Sequence, residues 1–462
     1  MAVWIAAGGG GLRHGLELAD MRDLLADYRI PAAVALTKMR GMTTASMTSA
    51  TPPVRSDIRT ISLVGLAHGS SHFFHLLLPP LFPWLIAEFD YSYAQLGVMV
   101  SLFYVVSGVG QMLSGFLVDK VGAQRVLFAA LTSFVVAGLI ASVAQNYAML
   151  LAASLFAGLG NAPFHPVDFT ILNKRVTAKH IGHAYSVHGI SGNLGWAAAP
   201  VFMMGITTAT GSWRMACFCG AMFAAVVLTV MLINRRWLDD KAFDVPAAPK
   251  AASSQGGAEA VEESPFAYLK LPAVWLCFAF FFFSTVGLSA VQNYASTALN
   301  LMYELPLTQT ALVVTGFMLC GAVGMVGGGF LAQYVRRLEL TIAIFLLLAA
   351  GCLALVGTGW LPGSVALVVA SVAGFGHGLA GPSRDMLIKR ATPAGSTGRV
   401  YGTVYSGLDS GFALAAPIFG WMMDHHLHSQ VFYGAGIALA LSVWAATAVG
   451  VSLHQKNTQR AA

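Results

Sequence analysis

Three observations identify the chain as an all-α membrane protein, with twelve transmembrane helices in two pseudo-symmetric six-helix halves. Of its 462 residues, 56% are hydrophobic and only 10% charged, whereas a soluble globule carries about 25% charged residues. Twelve apolar runs are long enough to cross a bilayer, which takes about 20 residues at about 1.5 Å each. The chain also repeats itself. Ala157, Gly158, Gly160, Pro166, Ala178, Gly182, Tyr185 and Gly195 recur 216 residues later, without a gap, as Ala373, Gly374, Gly376, Pro382, Ala394, Gly398, Tyr401 and Gly411. Most of these are Gly or Pro, the residues that decide where helices kink, end and approach closely. The two halves therefore read as copies of one membrane unit, the construction used by transporters.

Residues 1–55 stand outside that unit. MAVWIAAGGGGLRHG has a short apolar start followed by glycines, and LELADMRDLLADYRI is charged. No basic residues precede an apolar core, so the segment is neither a signal peptide nor a span. Met39, Met42 and Met47 precede a polar lead-in, and the segment reads as disordered or as an over-extended start, dispensable for folding.

The predicted spans are 60–86, 94–117, 124–144, 147–174, 182–206 and 213–233, then 272–299, 309–332, 340–360, 364–388, 400–422 and 430–452. They divide into an N-terminal half, 56–233, and a C-terminal half, 271–455, with a tail at 456–462. The connection 234–270 contains DVPAAPKAASSQGGAEAVEES and reads as a flexible cytoplasmic linker.

Charge tests this topology. Of 26 Lys and Arg, 24 fall on one side of the membrane; the exceptions are Arg214, at a span edge, and Arg384, inside a span. That asymmetry places both termini in the cytoplasm of a multi-pass protein of the plasma membrane, the inner membrane if the cell is bacterial. The net charge of +6 is then a matter of topology, and no nucleic-acid partner is expected. Cys217, Cys219, Cys277, Cys320 and Cys352 all lie in apolar runs without metal-type spacing and read as small buried hydrophobes. There is no P-loop and no His-Glu-x-x-His, so no enzyme activity and no cofactor is expected.

After the second span comes Gly115-Phe-Leu-Val-Asp119-Lys120-Val-Gly122-Ala-Gln-Arg125. Gly115 and Gly122 permit a tight turn, and Asp119 can cap a helix N-terminus and pair with basic neighbours. The stretch resembles the G-x-L-x-D-x-x-G-x-x-R loop of the major facilitator superfamily. Ser71-His72-Phe73, Ala94-Gln95-Leu96-Gly97 and the run from Gly158 through Phe164-His165-Pro166 to Gly192-Asn193-Leu-Gly195 and Pro200 look like the fosmidomycin-resistance type of efflux permease. That resemblance covers spans 1 to 5. The chain departs from it at His75-Leu76, where that type usually has Asn-Asp, and at Val167-Asp168, where it has Glu. In span 5, Gly189, Gly192, Gly195 and Pro200 resemble the glycine-rich helix of the superfamily's proton-coupled antiporters, although small residues also serve close helix packing.

A charge at the centre of a span costs about 2.5 to 3.5 kcal/mol, so intramembrane polar residues mark a cavity or a partner. His68, His72 and His75 are spaced to share one face of span 1. His165 and Asp168 lie on span 4, His188 and Asn193 on span 5, Gln292 and Asn293 on span 7, His377 and Arg384 on span 10, and Asp409 on span 11. The superfamily resemblance implies that spans 1, 4, 7 and 10 line the pathway, so the histidine face, His165, His377 and Arg384 are expected to converge. Two histidines four residues apart suit zinc, but no Cys or carboxylate completes a site within span 1, and no metal is expected. His68 is read as a packing residue. His72 and His75 are assigned to proton or substrate handling, because histidine titrates near neutral pH. Asp409 reads either as a satisfied buried acid or as part of the proton path. Asp168 and Arg384 occupy equivalent places in the repeat and are expected to face each other across the cytoplasmic mouth.

Three functions fit: a proton-driven exporter of a small polar or amphipathic compound, a proton-coupled uptake symporter of an organic anion, and a non-transporting sensor. The expected partners are the small-molecule substrate, protons and the lipid bilayer, with the chain acting as a monomer.

Overall fold

Lipid offers a spanning backbone no hydrogen-bond partner, so each segment must satisfy its own amides and carbonyls. The computed structural model describes residues 54–241, 267–335, 337–391 and 397–461, and within them every regular element is a helix. The expectations for residues 1–53 and for the centre of the linker lie outside the described residues.

Span 1 is a helix over Val54–His75 that breaks at Pro79–Leu81 and resumes over Phe82–Phe89. Span 2 is Tyr93–Val121 and span 3 is Ala123–Ser142. Span 4 is Tyr147–Asn161 followed by Phe164–Arg175, interrupted beside Pro163, whose ring leaves one helical bond unmade. Span 5 is Ile181–Thr210 and span 6 is Trp213–Ile233. The second half follows as span 7, Pro272–Tyr303; span 8, Leu312–Tyr334; span 9, Leu338–Gly357; span 10, Gly363–Ala391; span 11, Thr397–Asp424; and span 12, His428–Ala461. Ten of the twelve are apolar and long enough to cross a membrane on length and composition. The other two are spans 5 and 11, 30 and 28 residues long. Each is diluted by polar groups such as His183, His188 and Asn193, or Ser406, Asp409 and Ser410.

Packing inside the two halves follows one plan. Span 1 lies on span 5 as span 7 lies on span 11, and span 4 rests on spans 2 and 3 as span 10 rests on spans 8 and 9. These crossings are close because glycine lets backbones touch. A β-carbon added at Gly195 would sit 2.0 Å from the Gly69 carbonyl oxygen, and one at Gly378 would sit 1.9 Å from that of Gly321.

The halves meet along spans 2 and 11 and along spans 5 and 8. On the first seam, Gly97 abuts the Ala416 carbonyl, Ser101 hydrogen-bonds the Ala413 carbonyl, and the Tyr104 ring stacks on Phe412 at 4.3 Å. At its far end the Asp424 carboxylate accepts from the backbone N–H groups of Tyr93 (2.6 Å) and Ala94 (2.9 Å). One half thus caps a helix of the other with a charge that its positive N-terminus favours. Thr315 closes the second seam by donating to the Ala197 carbonyl at 2.8 Å. Toward the opposite end, which carries Lys120, Arg125 and Lys174, β-carbons built at Gly115, Gly182 or Gly327 would meet nothing within 4 Å.

The loop after span 2 corrects two expectations. Gly115 is helical, and the turn is made by Gly122 alone, with φ of +98°. Asp119, Lys120 and Arg125 are exposed. The acid that serves span 3 is Asp240, only 3% exposed, which accepts from the Gln124 amide at 3.2 Å and lies 3.8 Å from Lys174. The linker therefore begins folded, with Leu238 fully buried. Arg214, one of the two basic exceptions, is bound to Glu88 at 2.6 Å at the opposite end of the bundle.

Two outcomes are expected. Gly195→Ala should lower the melting temperature of the purified protein, because overpacking of this kind costs about 1 to 3 kcal/mol, while Gly205→Ala, whose β-carbon meets no neighbour within 4 Å, should not. Asp424→Asn should loosen the seam by up to about 2 kcal/mol, read as faster thiol alkylation of Ser101→Cys in a protein lacking its native cysteines. Equal alkylation rates would show that Asp424 does not hold the halves together.

Candidate functional site

The chemistry gathers where spans 1, 4 and 5 of the first half meet. Gly69, Gly192 and Gly195 bring spans 1 and 5 together, and the ring of His72 lies against Gly192. The break before Phe164 turns the second piece of span 4 so that His165 and Asp168 face the same place. Asp168 is fully buried, and its Oδ2 lies 3.0 Å from His68 Nδ1 and 3.1 Å from His188 Nε2. The contact with His188 has hydrogen-bond geometry, whereas His68 Nδ1 has the distance without the alignment. The His68 and His188 rings stack at 3.5 Å, and His165 stands 5.4 Å from His68 and 5.9 Å from His188.

A ladder of aromatic rings leads away from this group along span 1. His72 lies 4.5 Å from His68, 4.9 Å from His75 and 4.1 Å from Trp196 of span 5. His75 then enters a hydrogen-bonded chain. Its Nε2 donates to Asn161 Oδ1 at 2.9 Å, and its Nδ1 accepts from the Tyr104 hydroxyl at 3.2 Å. Ser71 also donates to Asn161 Oδ1, and Asn161 Nδ2 reaches Ser107 Oγ at 2.7 Å. Across the seam, Asp409 of span 11 packs against Gly108, the residue next to Ser107 in span 2. One asparagine on span 4 thus joins spans 1 and 2, and the chain ends at Ser107, beside the place where Asp409 of the other half packs.

The remaining predicted residues sit apart from this cluster. Asn193 hydrogen-bonds the Gly189 carbonyl near span 8. Gln292 reaches the Met318 sulfur, while Asn293 binds Ser289 of its own helix. His377 packs near Phe317, and the Arg384 guanidinium lies over Phe281 at 4.8 Å. Asp168 takes His68 and His188 as partners within its own half. His68, read from sequence as packing, lies at the centre of the cluster. Asn161, Tyr104, Ser107 and Trp196 were not legible as site residues, because a single Asn, Tyr, Ser or Trp in an apolar run carries no periodic signal. Only the position of Asn161 within the Gly-Leu-Gly-Asn-Ala-Pro-Phe-His-Pro stretch pointed to it.

Twelve spans in two matched halves, with ionisable groups enclosed between them, are the architecture of a class of membrane proteins built from a repeated six-helix unit. The chain belongs to the major facilitator superfamily, whose model matches residues 64–416 and again 292–461. It is 25% identical over 273 residues to an uncharacterized MFS-type transporter, YfnC, of Bacillus subtilis, covering 59% of this chain and 64% of that one. To the fosmidomycin resistance protein of Escherichia coli it is 22% identical over 295 residues, covering 63% of this chain and 70% of that one. A bacterial homolog of the human lysosomal transporter Spinster, solved in an inward-facing and occupied conformation, shares the fold with a TM-score of 0.63 at 12% identity, covering 87% of this chain and 97% of that one.

Asn161→Leu should strand Ser71, His75 and Ser107, and a buried polar group without a partner costs about 1 to 3 kcal/mol. The expected result is a clear fall in melting temperature, against a small change for Ser71→Ala. Similar shifts for the two variants would remove Asn161 from the hub of the network.

Proposed function

We propose that this protein is a proton-driven exporter of a small polar or amphipathic compound, with its basic end and both termini in the cytoplasm of a bacterial plasma membrane. The observation that carries this reading is the hydrogen-bonded chain from His75 through Asn161 to Ser107, which ends beside Asp409 of the other half, because it brings ionisable groups of both halves together at the seam that must open and close. An amide does not pass a proton onward, so the chain transmits hydrogen-bond polarity. A change of charge on Asp409 acts on Ser107 beside it, and through Asn161 on what His75 meets. Tyr104 meets His75, and His72 stacks on the latter. In alternating access one ligand shifts an equilibrium only by its differential affinity for the two states. Asp409 beside a seam that breaks in one of those states meets that requirement. The state described here is joined at the Asp424 end, where the charge holds the start of span 2, and this supports an inward-facing reading. Export is supported by the similarity to a resistance protein.

Uptake of an organic anion is the second reading. Arg384 favours it, as a guanidinium half-buried over Phe281 near His377 and suited to carboxylate or phosphate.

The test is flux driven by an imposed pH gradient in vesicles of known orientation, with candidate compounds first found by thermal shift. A ligand at about 100 times its dissociation constant stabilises by about 2.7 kcal/mol. Flux out of the cytoplasmic side against a proton gradient is expected, and flux inward would select the second reading. His75→Gln and Asp409→Asn should each change the pH dependence of transport measured between about pH 5 and 8. An unchanged pH profile in both variants would remove this chain from coupling.

A further inference from the structure

We infer that His68, His165, His188 and Asp168 form a binding site for a divalent transition-metal ion of the zinc class, buried between spans 1, 4 and 5. Sequence argued against a metal because span 1 holds no carboxylate; the fold supplies one from span 4. One nitrogen from each of the three imidazoles can be chosen so that all lie within 4.8 Å of one another. Asp168 Oδ2 is 3.0 Å from His68 Nδ1 and 3.1 Å from His188 Nε2. Around a tetrahedral ion with bonds of about 2.0 to 2.1 Å, donors stand about 3.4 Å apart. The carboxylate edges are therefore close to the required length. The histidine nitrogens must close by about an ångström, within reach of imidazoles that turn about two side-chain bonds.

A second observation points to an occupant. His68 Nδ1, His165 Nδ1 and Asp168 Oδ1 are buried and make no hydrogen bond within the protein. Buried polar atoms are normally satisfied; the two unsatisfied imidazole nitrogens are donor atoms a metal would use, and the unsatisfied Oδ1 belongs to the carboxylate whose Oδ2 stands at coordinating distance from His68 and His188. Imidazole nitrogens with one carboxylate suit zinc, nickel or cobalt, whereas calcium and magnesium prefer all-oxygen shells. Three neutral imidazoles and a carboxylate carry a single negative charge, which a divalent ion overcompensates by only one unit. Half-buried His165, unlike the other three, offers a way in. A bound ion would tie three helices of one half together. It would act as a clamp on that half and leave the seam chain of His75, Asn161 and Ser107 untouched, so the inference stands apart from the proposed transport.

The experiment uses untagged full-length protein in detergent, stripped with a chelator, incubated with zinc chloride, desalted and analysed for metal. About one zinc per chain is expected in the wild type, with a rise in melting temperature that chelator reverses. His165→Gln should lose zinc by at least tenfold in affinity, and His165→Cys, which restores a zinc-type donor, should retain it. The exposed histidines at the opposite end, His425 and His426, provide the control: His425→Gln with His426→Gln should bind as the wild type does. Melting curves without metal establish that each variant is folded. Absence of zinc from the wild type, undiminished zinc in His165→Gln, or loss confined to the His425 and His426 variant would each overturn the site.

Discussion

A polar group enclosed among spanning helices finds its partner on another helix or goes without, because lipid supplies none. Asn161 shows what this constraint does. Its amide accepts from Ser71 and His75 and donates to Ser107, so spans 1, 2 and 4 are tied to one relative position by a single side chain. Asp168 acts in the same way on spans 1, 4 and 5 through His68 and His188. The energy per bond is modest, since interhelical hydrogen bonds in membranes average below about 1 kcal/mol. Their direction specifies the arrangement that nonspecific apolar packing leaves open.

The two halves share geometry and differ in chemistry. Spans 4 and 10 begin at Tyr147 and Gly363, and spans 5 and 11 at Ile181 and Thr397, each pair separated by the same repeat. Yet Asn161 corresponds to His377, Asp168 to Arg384 and Asn193 to Asp409. Glycine and proline set the shape that both copies keep. The side chains free to vary within that shape have turned one half into a histidine and acid cluster and left the other with Arg384, His377 and Asp409. A common scaffold with unlike linings allows one half to respond to a charge that the other carries.

Movement between the halves concerns a small number of contacts. The Asp424 cap on span 2, the Tyr294 hydroxyl on the Tyr93 carbonyl at 3.4 Å, and Thr315 on Ala197 close one end. Each crosses between halves through a backbone group, so the halves can part there without unfolding any helix. The clusters within the first half are side chain to side chain and travel with it.

From the sequence alone came the number of helices, their pairing into two copies and the family. Those features rest on composition, on span length and on Gly and Pro, each legible one residue at a time. The span-1 histidines and Asp168 were also legible, because a charge or imidazole in an apolar run stands out. What meets what was decided only in three dimensions. His68 moved from packing to the centre of a cluster because spans 4 and 5 bring Asp168 and His188 to it. Asp240 took the capping role expected of Asp119 because the start of the linker folds back on span 3. Asn161 became a hub through a helix break that points it at three neighbours. Spacing along a helix shows which residues share a face; which other helix that face meets depends on crossings set by glycines far away in the chain.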